Sequence, residues 1–174
     1  IELVEYIAKS YSTTNSCEHE GTKTTLERKI LSYTKLKLHS AAPPFSIVSN
    51  KGEQLSLDSY AQRTFVLVFW ATWCPHCMQV VPEIHRLMET KIDATFDLIT
   101  VSLDTNVTDW KKYTDNMTLS KNVCDKKSWD SPILSDYQVY ATPTIFVIKN
   151  KTIIGKPLDL EELRQILREN KLVR

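Results

Sequence analysis

No apolar run in this chain approaches the roughly 20 residues that a membrane-spanning helix needs, which excludes a helical span in the sequence as given. Charge of one sign is missing too: 22 Lys and Arg stand against 21 Asp and Glu, a formal charge of +1. That balance gives no electrostatic case for nucleic acid or an anionic membrane surface as partner. The first residues, Ile1-Glu2-Leu3-Val4-Glu5-Tyr6, lack an initiator Met, a basic n-region and a long apolar h-region. The chain is therefore read as a processed product or an excised domain. Cysteine is scarce: four in 174 residues are too few for a disulfide scaffold. What remains is the composition of an ordinary globular protein, 42% hydrophobic and 25% charged, long enough for one domain with a sizeable core and an appendage.

Two of those cysteines form a local pair in Trp73-Cys74-Pro75-His76-Cys77. They follow the apolar run Phe65-Val66-Leu67-Val68-Phe69-Trp70 and precede a helical pattern carried by Val80, Val81, Ile84, Leu87 and Met88. Strand, short turn and helix place both sulfurs at a helix N-terminus. Free N–H groups and the positive end of the helix dipole favour a thiolate there. A thiolate with a second thiol in reach is equipment for thiol–disulfide exchange. The competing reading is zinc, but structural zinc needs four ligands, usually two such pairs. No second CxxC exists, and Cys17-Glu18-His19 is the one candidate partner group. No metal and no cofactor are expected. Cys17 and Cys124 stand alone, either as small buried hydrophobes or as a second disulfide or relay thiol. The glycosylation-like triplets at Asn106, Asn116 and Asn150 match a permissive pattern.

Residues 1–40 differ from the rest. Leu3, Val4, Ile7 and Ala8, then Leu26, Ile30, Leu31, Tyr33, Leu36 and Leu38, predict two helices around a polar stretch. This extension is too short for its own core and is expected to pack on the main domain or belong to an upstream one. Ala41-Ala42-Pro43-Pro44 marks the boundary, and 41–174 is expected to be the principal domain. A hairpin is predicted from Phe45 to Leu57 around Asn50-Lys51-Gly52, with Asp58 capping a short turn. Strands follow at Phe65–Trp70, Phe96–Leu103, Thr144–Ile148 and Thr152–Ile154. Helices are predicted from Pro75 to about Lys91, around Asp109–Tyr113, and through Leu160–Leu167. Pro75 suits an early helix position, whereas Pro82 falls inside the helix, where it removes a hydrogen bond. Met117 to Pro132 carries no clear pattern. The order βαβαββα after a hairpin defines an α/β class, a mixed central sheet flanked by helices.

The intervening Pro75 and His76 lie nearest the thiolate and are candidates for tuning it, as is the flanking Trp73. Cys74, at the helix start, is the expected exposed nucleophile, and Cys77, one turn in and more shielded, the resolving sulfur. A second wall is offered by Ala141-Thr142-Pro143-Thr144 ahead of a β-branched strand. A cis Pro143 would turn the Thr142 backbone toward the sulfurs, where it could hydrogen-bond an extended substrate peptide.

Taken together the chain resembles the thioredoxin superfamily, most closely the TlpA/ResA-like bacterial thiol–disulfide oxidoreductases. The resemblance rests on Ala42-Pro43-Pro44-Phe45, on Leu67 through Cys77, on Pro82, on Val101-Ser102-Leu103-Asp104, and on Tyr140-Ala141-Thr142-Pro143-Thr144 with Gly155. It spans about residues 41–174 and implies a thioredoxin-like fold with Cys74 and Cys77 as the redox pair and Pro143 as a cis proline. Residues 1–40 resemble the helical tails that precede such domains in lipoproteins. Two acids of the superfamily are replaced: TlpA/ResA-like proteins carry a Glu where this chain has Val80, and thioredoxins bury an Asp where it has Val68. Glu83, His76 or water is left to serve Cys77. The Pro-His dipeptide is similar to that of an oxidant, DsbA, whereas the surrounding frame is similar to that of a reductant.

The implied activity is exchange of a CxxC dithiol or disulfide with protein thiols and disulfides. The implied setting is extracytoplasmic, periplasmic or envelope-anchored in a bacterium, with a membrane thiol-redox partner resetting the pair. The alternative is a non-catalytic thioredoxin-fold sensor or interaction domain. A peroxidase of the peroxiredoxin kind is disfavoured, because Leu67 and Ala71 stand where its Pro and Thr would be required.

Overall fold

The computed structural model describes residues 36–174. Most of the predicted N-terminal extension, with Cys17 and His19, lies outside the described residues. The helix expected to reach Leu38 does not extend through 36–40, which form a bend and turn with His39 in the left-handed region. Leu36 is buried in the core. His39 N–H donates to Ile153 O (2.7 Å) and Ala42 N–H to Lys151 O (2.8 Å), so this segment is stitched onto the last strand.

A two-stranded antiparallel hairpin, β1 (Ser46–Val48) and β2 (Gln54–Ser56), comes first. Asp58 starts a short 3-10 turn but caps nothing with its side chain; its carboxylate pairs with Lys151 instead (2.6 Å). The central strand β3 (Thr64–Trp70) runs parallel to β4 (Phe96–Ser102) and antiparallel to β6 (Thr144–Lys149). β5 (Lys121–Cys124) and β7 (Thr152–Gly155) complete a mixed sheet of order β5-β4-β3-β6-β7. β3 is buried at every residue, which is why its sequence reads as an unbroken apolar run and not as an alternation.

The helices are α1 (Pro75–Leu87), α2 (Val107–Thr114), α3 (Pro132–Asp136) and α4 (Leu160–Glu169). α1 continues past Pro82 and tightens into a 3-10 turn at Met88–Thr90. α4 buries Leu163 and Leu167 and seats Ile166 against Gly155, where a Cβ would stand 2.8 Å from Ile166 Cδ1. Any side chain there obliges Ile166 to shift. The predicted α/β class, hairpin and mixed sheet are all present. β5, in the stretch without a clear pattern, and α3, which begins at its last residue, were not legible.

Candidate active site

The end of β3 and the start of α1 build the site. Ala71 to Trp73 make the turn, and Cys74 N–H donates to Ala71 O (3.2 Å). Cys74 is the N-cap of α1, with extended backbone angles, and Pro75 fills the first helical position, where an N–H would have no helical acceptor. Cys77 N–H donates to Cys74 Sγ (3.2 Å), so the sulfur takes the place of a capping oxygen. Cys74 and Cys77 are joined as a disulfide with Cα atoms 5.2 Å apart. Cys74 keeps 7% of its surface open and Cys77 none. The order of exposure is the expected one, but Cys74 shows only a sliver of surface.

The Thr142–Pro143 peptide is cis, and Thr142 O lies 3.5 Å from Cys74 Sγ. The strand β6 leaves from Thr144, whose hydroxyl donates to Ala141 O (2.7 Å). Trp73 and His76 are exposed on the rim. Trp73, Cys74, Pro75, His76, Cys77, Thr142 and Pro143 thus meet at the end of the sheet formed by the C-terminus of β3. Val68 is fully buried and Val80 half-buried. Glu83, the nearest acid along the helix, is engaged elsewhere: it pairs with Arg86 (2.8 Å) and with Arg164 of α4 (3.8 Å).

Sequence reasoning quoted Asp104 in the Val101–Asp104 motif but gave it no role; the structure makes it a buried carboxylate beside the redox turn. Asp104, 3% exposed just beyond β4, accepts from Thr72 N–H (3.0 Å), from the Thr72 hydroxyl (2.6 Å) and from the Ser102 hydroxyl (2.6 Å). Its own N–H donates to Ser102 Oγ (2.9 Å), and its backbone oxygen accepts from the Cys124 thiol (3.0 Å). A carboxylate taken from water is tolerated only when so satisfied. It clamps the turn two residues before Cys74. Burial pushes the Cys124 thiol above its ordinary pKa. The signal available was an Asp directly after an apolar strand; its partner, 32 positions away, was not visible.

Trp129 was also missed. It sits 47% exposed on a 3-10 turn, Ser128–Asp130, with its ring centroid 6.3 Å from that of Trp73, itself 54% exposed. Lys126 (φ 65°) and Ser128 (φ 51°) in the same loop hold left-handed backbone, which costs an L-residue about 1 kcal/mol or more. Asp125 ties the loop, accepting from Lys127 N–H (3.0 Å) and from the Ser131 hydroxyl (2.5 Å).

A capped disulfide at the end of the central strand, facing a cis proline, defines a dithiol–disulfide exchange site on an α/β sheet. The Thioredoxin-like family model matches residues 62–154, and the chain belongs to that family. It is 30% identical over 116 residues to the thioredoxin-like protein YneN of Bacillus subtilis, covering 65% of this chain and 66% of that protein. It is 26% identical over 129 residues to sporulation thiol-disulfide oxidoreductase A of the same organism, covering 70% of this chain and 76% of that one. A solved thiol-disulfide oxidoreductase from Bacteroides fragilis superposes with a TM-score of 0.65 at 29% identity, covering 75% of this chain and 99% of the other. The chain is a thiol–disulfide oxidoreductase.

Proposed function

We propose that Cys74 is the attacking sulfur and Cys77 the resolving one in disulfide exchange with protein substrates. The observation that carries this is the Cys77 N–H held 3.2 Å from Cys74 Sγ at the N-terminus of α1. One sulfur is stabilised as an anion while the other is sealed from solvent. In the reductive direction Cys74 thiolate attacks a substrate disulfide, forming a mixed disulfide and releasing one substrate thiolate. Cys77, deprotonated to water or a nearby base, then attacks Cys74 Sγ, closing the Cys74–Cys77 disulfide and releasing the second substrate thiolate. Two electrons pass to the substrate, and an outside dithiol restores the pair.

Trp73, Pro75 and His76 border Cys74 and set its potential, while Thr142 and Pro143 bind extended substrate backbone. The domain is assigned to 41–174, with 1–40 as an extension. The setting proposed from the ResA-like relatives is extracytoplasmic, periplasmic or envelope-anchored, with a role in cell redox homeostasis and a membrane thiol-redox partner. Among the described residues no helix is long and apolar enough to cross a membrane.

Insulin reduction driven by an excess of dithiol tests the reading. Turnover should vanish in Cys74→Ser, and Cys77→Ser should accumulate a mixed disulfide through Cys74. Turnover that survives Cys74→Ser would sink it. The reduction potential against glutathione assigns direction: a value near DsbA's roughly −120 mV marks an oxidant, one near thioredoxin's roughly −270 mV a reductant.

A further inference from the structure

Among the described residues, the Trp73–Trp129 pair is unlike the other aromatic contacts. Those join buried rings around β3, such as Phe69–Tyr137 and Tyr137–Phe146. This one joins two exposed rings on separate loops, at 54% and 47%, with planes inclined at 51°. Stability alone does not account for it, because half of each ring stays in water. The loop bearing Trp129 is nonetheless held by two left-handed residues and by the Asp125 bonds to both of its ends. Backbone that L-residues avoid, fixed by hydrogen bonds around an exposed tryptophan, is the pattern of a presented side chain. Trp73 is covalently next to Cys74, the sulfur of the pair that keeps some exposure.

Resting on the exchange reading above, we propose that Trp73 and Trp129 form an apolar clamp for the substrate. It takes an aromatic or large aliphatic side chain immediately beside the substrate's reacting cysteine. Trp129 is then a specificity-determining residue supplied from the loop between β5 and α3. The occupant is an extended peptide segment, since the cis Thr142–Pro143 peptide brings backbone, Thr142 O, to within 3.5 Å of Cys74 Sγ, where a substrate main chain can run alongside the sulfur. A residue next to the cysteine in an extended chain lies about 3.3 Å further along, and Trp73, adjacent to Cys74 in the chain, has the Trp129 ring 6.3 Å from its own. Tryptophan suits this use because its face attracts aromatic edges, its area is large and few torsions are frozen on contact. With about half of each residue exposed, the pair has surface left for a third side chain.

The test uses two synthetic peptides, each closed by one disulfide and identical except for Phe or Gly beside the reacting cysteine. Pre-reduced protein is mixed with each, quenched in acid, and second-order rate constants are read by chromatography. The wild type should favour the Phe peptide about fivefold, the size of one aromatic contact. Trp129→Ala should bring that ratio close to one, and Trp129→Phe should keep most of it. Loss of folding lowers both rates and leaves the ratio standing, so a structural role does not imitate the result. A wild-type ratio near one, or a ratio that survives Trp129→Ala, overturns the proposal. So does a Trp129→Ala variant that turns a dimer into a monomer with the ratio intact, since the pair would then join two copies. If the reduced wild type reduces neither peptide and the oxidised wild type oxidises neither peptide's dithiol form, the exchange reading itself fails, a result distinct from equal rates.

Discussion

Asp104 holds Thr72 by two hydrogen bonds, one from the backbone N–H at 3.0 Å and one from the hydroxyl at 2.6 Å. The carboxylate lies two residues past β4 and the threonine in the turn that delivers Cys74, so the clamp ties the redox loop to the neighbouring strand's exit. Asp104→Ala leaves the Thr72 and Ser102 donors without their acceptor in a buried place. A loss of about 3 kcal/mol in unfolding free energy is expected, measured by urea denaturation of the oxidised protein. Thr72→Val removes one donor and keeps the shape; about 1 kcal/mol is expected. Equal stability of Asp104→Ala and wild type would show the clamp to be idle.

Cys74 and Cys124 should separate sharply in the reduced protein. The N–H of Cys77 and the helix terminus favour a Cys74 thiolate, whereas burial raises the Cys124 pKa and thins its thiolate at every pH. Iodoacetamide at pH about 6 should label Cys74 at least about tenfold faster. Cys124 labelling should climb only above the ordinary thiol range, about 8.5. Mass mapping of quenched samples reads both; comparable rates at pH 6 contradict this ordering.

His85 gives the fold a pH dependence of known sign. Its Nε2 accepts from Leu119 N–H (3.1 Å), which requires the neutral ring, and burial lowers its pKa. The folded value lies below the unfolded one, about 6.5. Between the two the unfolded chain binds more protons, so stability rises with pH across that window. The contribution is present above about 6.5 and lost as pH falls through the folded value. Melting curves from pH 7.5 to 5 should show a smaller acid loss in His85→Gln than in wild type. Parallel curves would remove His85 from the account.

Gly155 marks a tight packing point. A methyl group there meets Ile166 Cδ1 at 2.8 Å and Cγ2 at 3.2 Å. Gly155→Ala should cost about 1 kcal/mol, and Ile166→Val in the same chain should return part of it by clearing the clash. Chemical denaturation of the two variants checks the pair. A single variant as stable as wild type would show that Ile166 moves aside freely.

Where burial and sequence order run together, the fold was legible. β3 announces itself because all seven of its residues are buried, and Cys74 and Cys77 because one helical turn separates them. β5 did not, because its middle is polar by design of the interior: the Asn122 side chain is fully buried and accepts from the hydroxyls of Thr100 and Ser120, both at 2.8 Å. Apolar periodicity cannot find a strand whose inward residue is an amide. Asp104 and Trp129 escaped for another reason. Each acts on the redox loop from a loop distant in sequence, and such meetings follow from strand order, which only the folded sheet supplies.

The segment that joins His39 and Ala42 to β7 has a counterpart on the other flank, where Asn50 N–H donates to Asn122 O of β5 (2.7 Å). Both outermost strands are therefore partly occupied by the protein's own chain. An open sheet margin is a template on which another chain can zip as an extra strand. Covering both margins in part blunts that template, so the fold keeps its chemistry at one end without offering its flanks as a seed for aggregation.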